Sequence, residues 1–324
     1  MTSNNIGEAA QIIKRGGLVA FPTETVYGLG ANALDPFAVA KIFELKERPS
    51  FDPLIVHVAS FSDLQTLSTG VTEKVMRLAK HFWPGPLTLV LPKAGIVPDI
   101  VTSGLGTVGI RMPDNAIALE LIRQAGCPIA APSANKFGRL SPVKAWHVKK
   151  QLPNVDYVLD GGTTSVGIES TIVSVEDDVC RLLRPGFITL EDIEKALPDT
   201  FVFKRDKPLQ LVSPGLLKSH YSPQKPLYML DNEIDIDIDF TNSGLILHRE
   251  SSIGNGAARV IHTSGTGNVI EIAANLFDSL HAMEEDESVE NIFIEPVEET
   301  GLGIAIMDRV KKAAYRYNKM KNEI

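Results

Sequence analysis

Two short pairs of residues, Lys46 with Arg48 and Ser133 with Asn135, have the types and spacing to hold an anion. A helix starting at Pro36 would carry Val39, Ile42 and Lys46 on one side, so the lysine lies on the apolar, inward face of the last turn. The plainer reading of Lys46 is a cation that stabilises the helix C-terminus and snorkels to water. Arg48 follows in a segment held extended by Pro49 and could converge on the same point. Two cations aimed at one place fit a polyphosphate or a carboxylate. Ser133 and Asn135 follow the apolar run 129–131 and share one side if that stretch is extended, although a Ser/Asn turn accounts for them equally well. Hydroxyls and glycines recur in a third segment, 22–30, read as a loop following another buried strand. Loops after several strands of an α/β sheet commonly assemble one pocket.

The elements that must position these residues can be read from periodicity. Residues 6–15 predict a helix stopped by Gly16-Gly17, and residues 18–21 a buried strand ended by Pro22. Asp35-Pro36 reads as an N-cap with proline in the first turn, and that helix ends before Arg48-Pro49. Further strands are expected at 54–58, 87–91, 109–111, 129–131, 157–159 and 170–175, with helices between them, which is an α/β pattern. Periodicity lapses across 205–226, where prolines punctuate the chain as in an interdomain linker. Beyond it, strands at 227–230, 244–248, 259–262 and 291–295 and helices at 271–284 and 304–317 predict a smaller α/β, Rossmann-like domain. Domains are therefore expected at 1–204 and 227–324, joined by a linker at 205–226. Alternating Ile and Asp at 234–240 reads as a half-buried strand.

Composition narrows the class. The 324 residues exceed one ordinary core, and 44% hydrophobic with 22% charged residues is the make-up of a soluble globular chain without a membrane-spanning run. The start of the chain lacks the basic and apolar pattern of a secretory signal, and Cys127 and Cys180 have no metal-ligand spacing. A cytoplasmic setting without membrane attachment or structural zinc is expected. A net charge of −8 argues against a broad nucleic-acid-coating surface while leaving room for a local basic pocket.

The segments PTETVYGLG at 22–30, KIFELKERPSFDPLIVHV at 41–58, TVGIRMP at 107–113, APSAN at 131–135, GIESTIV at 167–173 and LLRPG at 182–186 form an ordered set. Together they resemble the YrdC-type threonylcarbamoyl-AMP synthases in their long two-domain form. SPGLLKSHYSP at 213–223 resembles that form's linker and GLGIAIMDRVKKAA at 301–314 its C-terminal helix. The resemblance implies an N-terminal YrdC-like twisted-sheet domain with a concave site. It also implies a nucleotidyltransferase that joins L-threonine, bicarbonate and ATP into threonylcarbamoyl-AMP and pyrophosphate. A tRNA threonylcarbamoyl-transferase complex would then pass the group to an adenosine beside the anticodon, with weak tRNA contact an open question.

Motif by motif, the resemblance makes Lys46, Arg48, Ser133 and Asn135 the signature tetrad. It places Thr25, His57, Arg111, Ser170 and the backbone of Ala131 around threonine. Arg48, Asp52, Thr107, Ser133, Asn135, Ser141 and Arg184 would surround ATP with Lys46, and Tyr221, in a linker crossing the mouth of the site, would touch the nucleotide or else pin the linker to the domain surface. Relatives commonly carry Asn where this chain has Asp52, and an added carboxylate near phosphates calls for a cation beside it. Mg²⁺ is implied through the ATP phosphates rather than through an Asp/Glu cage. A carbamate is already an anionic nucleophile, so the step asks for placement and charge neutralisation rather than a dedicated base.

Three motifs are set aside. Gly104 to Gly109 matches a dinucleotide fingerprint, but the helix that should open within it is expected only from about Asp114, so no nicotinamide cofactor is expected. Asp235, Asp237 and Asp239 imitate a calcium loop without its glycine or closing glutamate. No P-loop is present. Two rivals remain at this point, a double-stranded RNA-binding protein and a carbamoyl-adenylate-forming enzyme.

Overall fold

The computed structural model describes residues 3–176, 179–204, 219–230, 240–249 and 256–321. Most of the expected linker and residues 234–239 of the Ile/Asp stretch therefore lie outside the described residues, as do the aspartates of the calcium-loop imitation. The chain divides into two compact units. The first is drawn from Met1–Phe137, Pro142–Ser165 and Glu169–Leu216, the second from Gly138–Ser141, Val166–Ile168 and Leu217–Ile324.

The first unit begins α1 (Ser3–Lys14), β1 (Val19–Phe21), β2 (Gly28–Asn32), α2 (Pro36–Lys46), β3 (Ile55–His57), α3 (Phe61–Leu67) and α4 (Glu73–Phe82). It continues with β4 (Leu87–Pro92), α5 (Asp99–Thr102), β5 (Thr107–Arg111), α6 (Ala116–Ala125), β6 (Ile129–Ala130) and α7 (Ala145–Gln151). β7 (Tyr157–Val158), β8 (Thr171–Glu176), β9 (Val179–Arg184), α8 (Leu190–Ala196) and β10 (Phe201–Lys204) complete it. The ten strands form one mixed sheet in the order β10-β9-β8-β4-β5-β3-β6-β2-β1-β7. Side chains alternate across it as strand geometry requires. In β1, Val19 and Phe21 pack with Ala9 and Ile13 of α1 and Leu121 of α6, whereas Ala20 between them joins the core of α2, with Val39 and Ile42.

The start of α2 has the chemistry read from its sequence. Asp35 caps it by accepting from the backbone N–H groups of Phe37 and Ala38, with proline in the first turn. Its end is more abrupt than a fading helix, because Glu47 turns left-handed at φ 54° and its N–H closes on Glu44 and Phe43. That reversal directs Arg48 away from the helix axis while Lys46 keeps its inward position.

The segment read as a glycine loop is a loop only as far as Tyr27. Gly28–Asn32 is strand β2, antiparallel to β1 and β6. The glycines let it pair closely here: a Cβ on Gly30 would stand 2.7 Å from both Ile129 Cγ2 and Phe21 Cε1. Strands β9 and β10 were also absent from the sequence reading. In β9 the inward positions are Cys180, Leu182 and Arg184, and the arginine masks the apolar alternation. The glycines at 104 and 106 precede a strand, and the next long helix opens after the cap Asn115.

The second unit contains β11 (Leu227–Met229), β12 (Ser243–Leu247), β13 (Arg259–His262), α9 (Val269–Glu285), β14 (Asn291–Ile294) and α10 (Leu302–Lys321). Its four strands among the described residues are all parallel, in the order β11-β14-β12-β13. Among the described residues, no helix is long and apolar enough to cross a membrane.

Candidate active site

Lys46 is 1% exposed, and its ammonium donates to the carbonyl of Ser133 at 2.7 Å and to that of Asn135. Phe137 N–H donates to the carbonyl of Lys46, so the end of α2 and the loop after β6 hold each other from both directions. Burial lowers the Lys46 pKa well below its ordinary value, Arg48 adds to the effect, and Asp52 opposes it. Arg48 donates through Nε to the carbonyl of Asp52 and through Nη2 to that of Pro53, and Nη2 lies 2.9 Å from Asp52 Oδ2. Its guanidinium also sits 6.0 Å from the Phe137 ring centre. Desolvation raises the Asp52 pKa against the pull of Arg48, Lys46 and Arg184. The carboxylate whose presence near phosphates looked awkward in the sequence thus has its counter-ion beside it.

A second cluster surrounds Arg111 at the end of β5. Parallel pairing sets Arg111 opposite His57 of β3, and strand alternation puts Thr107 on the same face as Arg111. Arg111 donates through Nη1 to Thr25 Oγ1 at 3.0 Å and through Nε to the Gly85 carbonyl at 3.4 Å, while Nη2 lies 2.6 Å from Glu24 Oε1. Thr25 Oγ1 is 2.8 Å from Thr23 Oγ1. Burial, reinforced by Arg111, pushes the His57 pKa down to about 3, so the imidazole is neutral at physiological pH. Ala131 continues β6 by donating to the Ile55 carbonyl, and Gly28 bridges to Ser133.

Ser170 and Arg184 form a third group. Arg184 donates through Nε and Nη2 to the Ser170 carbonyl and through Nη2 to Ser170 Oγ at 3.1 Å, and that hydroxyl is 2.8 Å from Thr88 Oγ1. The pairing of Leu87 with Thr171 along β4 and β8 ties this group to the segment whose Gly85 carbonyl meets Arg111.

The structure thus groups Lys46, Arg48, Asp52, Ser133 and Asn135 around the end of α2, and Thr25, His57 and Arg111 around the end of β5. Ser141 and Tyr221 fall in the second unit. There the Ser141 carbonyl faces His281 Nε2 at 3.1 Å, and the buried Tyr221 ring packs on Phe277 with the Arg309 guanidinium 5.8 Å from its centre. Tyr221 has a left-handed backbone, φ 60°. Three polar neighbours went unrecognised in the sequence: Glu24, Thr88 and the Gly85 carbonyl. Glu24 left one legible trace, an acid enclosed by two threonines directly after a buried strand.

Comparison with known proteins addresses the whole length. The family profile described as "Telomere recombination" matches residues 11–186, and that of the "Threonylcarbamoyl-AMP synthase, C-terminal domain" matches residues 188–315. The chain is 44% identical to the Threonylcarbamoyl-AMP synthase of Bacillus subtilis, across 95% of this chain and 92% of that protein. The chain belongs to the threonylcarbamoyl-AMP synthase family. Its likeness to the Pyrococcus abyssi enzyme is 43% identity over 96% of this chain and 95% of that one. The crystal structure of P. abyssi Sua5 complexed with L-threonine superposes with a TM-score of 0.85 at 41% identity, covering 96% of this chain and 94% of that one. Family membership makes the chain an adenylate-forming enzyme with the two-domain mixed α/β architecture read from the motifs, and it favours neither the RNA-binding nor the carbamoyl-adenylate reading.

Proposed function

We propose that the chain condenses L-threonine, bicarbonate and ATP into threonylcarbamoyl-AMP and pyrophosphate, for threonylcarbamoyladenosine modification of tRNA. The observation that carries this reading is the full-length likeness to named synthases, combined with two differently charged buried clusters in one unit. In it Lys46, Arg48, Asp52, Thr107, Ser133, Asn135 and Arg184 hold ATP. Thr25, His57, Arg111, Ser170 and the Ala131 backbone hold threonine.

The chemistry divides accordingly. Arg111 presents a fork of donors suited to a carboxylate. Neutral His57 and the hydroxyls of Thr25 and Ser170 offer polar contacts without net charge. The carbamate oxygen attacks the α-phosphorus and pyrophosphate leaves, while Arg48 and Arg184 neutralise charge gathering on phosphate oxygens. Among the described residues no three His, Cys, Asp or Glu side chains gather to hold a metal. Mg²⁺ would enter with the phosphates of ATP, where it would supply further charge neutralisation. The acyl-adenylate passes to a tRNA threonylcarbamoyl-transferase complex.

Incubating the protein with ATP, bicarbonate and L-threonine should yield threonylcarbamoyl-AMP by mass spectrometry, with pyrophosphate release that stops when threonine is omitted. Release that persists without threonine in the presence of carbamoyl phosphate would overturn the assignment.

A further inference from the structure

Glu24 has no part in the roles assigned above, yet it stands at the centre of the Arg111 cluster. It lies between Thr23 and Thr25 in the turn after β1 and is 5% exposed. Its Oε1 is 2.6 Å from Arg111 Nη2, but neither carboxyl oxygen accepts a hydrogen bond of proper geometry from the described residues, and Nη2 donates none to them. The remaining edges of the guanidinium are engaged by Thr25 and the Gly85 carbonyl. A buried carboxyl whose oxygens lack donors is costly to keep. A ligand that brings its own N–H groups would repay that cost.

Charge points to the kind of ligand. Around Arg48, two guanidinium groups, Arg48 and Arg184, and the Lys46 amine face one carboxyl, Asp52, a balance that suits phosphates. Around Arg111, one guanidinium faces one carboxyl, and His57 is neutral. A simple carboxylate would leave the second group with excess negative charge. A zwitterion would not, because its ammonium answers Glu24 as its carboxylate answers Arg111.

Building on the function proposed above, we propose that Glu24 receives the α-ammonium of the amino-acid substrate while Arg111 takes its carboxylate, so that the pair selects a zwitterion. Once the amine has become a carbamate the positive charge on nitrogen is gone and the contact with Glu24 weakens. Glu24 therefore acts on capture of the amino acid more than on the adenylation that follows.

Calorimetric binding to the full chain tests this with two ligands, L-threonine and 2,3-dihydroxybutanoate, in which a hydroxyl replaces the amine. Glu24→Gln should weaken L-threonine by about 10- to 100-fold, the worth of a charge-assisted hydrogen bond. ATP binding should be unchanged, and the analogue, weak on the unaltered chain, should bind the variant at least as well, because the carboxylate that opposes it is gone. If the variant loses as much affinity for the analogue as for threonine, Glu24 works only by holding Arg111 and the proposal fails. Unchanged threonine affinity overturns it as well. Should Glu24→Gln not fold, the unaltered chain still decides, because analogue and threonine binding within a few-fold of each other would sink the idea. Absence of threonine binding to the unaltered chain would remove the parent assignment and this one together.

Discussion

The buried charges around Arg48 and those around Arg111 are arranged on opposite plans. Around Arg48 cations predominate, and backbone carbonyls of Ser133, Asn135, Asp52 and Pro53 hold them in place. Around Arg111 a single guanidinium is matched by Glu24, braced by Thr25 and set beside a neutral imidazole. In the roles proposed above, the difference lets one mixed sheet serve two ligands: a cation excess would collect phosphates, and a balanced pair would accept a molecule with no net charge.

The sharpest way to break this contrast is Lys46→Met, which keeps the length of the side chain and removes its three donors. Pyrophosphate release at saturating substrates should fall by about 10²- to 10³-fold, as for loss of one electrostatic stabiliser, with the circular dichroism spectrum retained. A near-normal rate would show that the cation-rich cluster is structural. Arg111→Lys exchanges a fork for a point charge. Its expected signature is a rise in KM for threonine of about 10-fold or more with KM for ATP little changed, since it loses a bidentate geometry worth more than about 1.4 kcal/mol. Equal effects on both KM values would erase the division between the clusters.

Acid titration separates the two regions by sign. The folded chain keeps His57 neutral down to about pH 3, whereas the unfolded chain takes up a proton near 6.5, so stability is lost as pH falls through that window. Between pH 7 and pH 5 this costs about 2 kcal/mol, and urea unfolding of His57→Asn should show a pH dependence flatter by about that amount. Asp52 behaves oppositely. Its raised pKa makes a contribution that is present below the unfolded value of 3.8 and is lost as pH rises through the folded one. The smallest effect belongs to the exposed pair of Lys136 and Glu47, 2.9 Å apart beside the tetrad. Lys136→Gln should change stability by no more than about 0.5 kcal/mol in the same unfolding measurement.

Much of this was legible in the residues, for reasons that differ along the chain. The Asp35-Pro36 start of α2 and the inward placing of Lys46 follow from capping and the 3.6-residue period, which are local. The grouping of 22–30, 46–52, 107–111 and 131–135 was readable only because the motifs occur as an ordered set. Burial of Glu24 was not readable, since an acid between two threonines looks like any solvated turn until Arg111 is seen across the sheet. Nor was the tie between Lys46 and the 133 and 135 carbonyls, because backbone acceptors leave no mark in a sequence. Strand β9 escaped because Arg184 occupies an inward position that alternation reserves for apolar side chains.

Gly28 and Gly30 carry no side chain, yet they govern tolerances around the loop that holds Lys46. A methyl group on Gly28 would meet Ala131 Cβ and Phe21 Cζ at 3.3 Å, in the strand that bridges to Ser133. Displacing that bridge by a few tenths of an ångström would carry the carbonyls of 133 and 135 with it and unseat the ammonium of Lys46 without touching a charged residue. The spacing between the segments of the candidate site is therefore set by atoms that are missing, and single added carbons in β2 would be felt as loss of turnover before loss of fold.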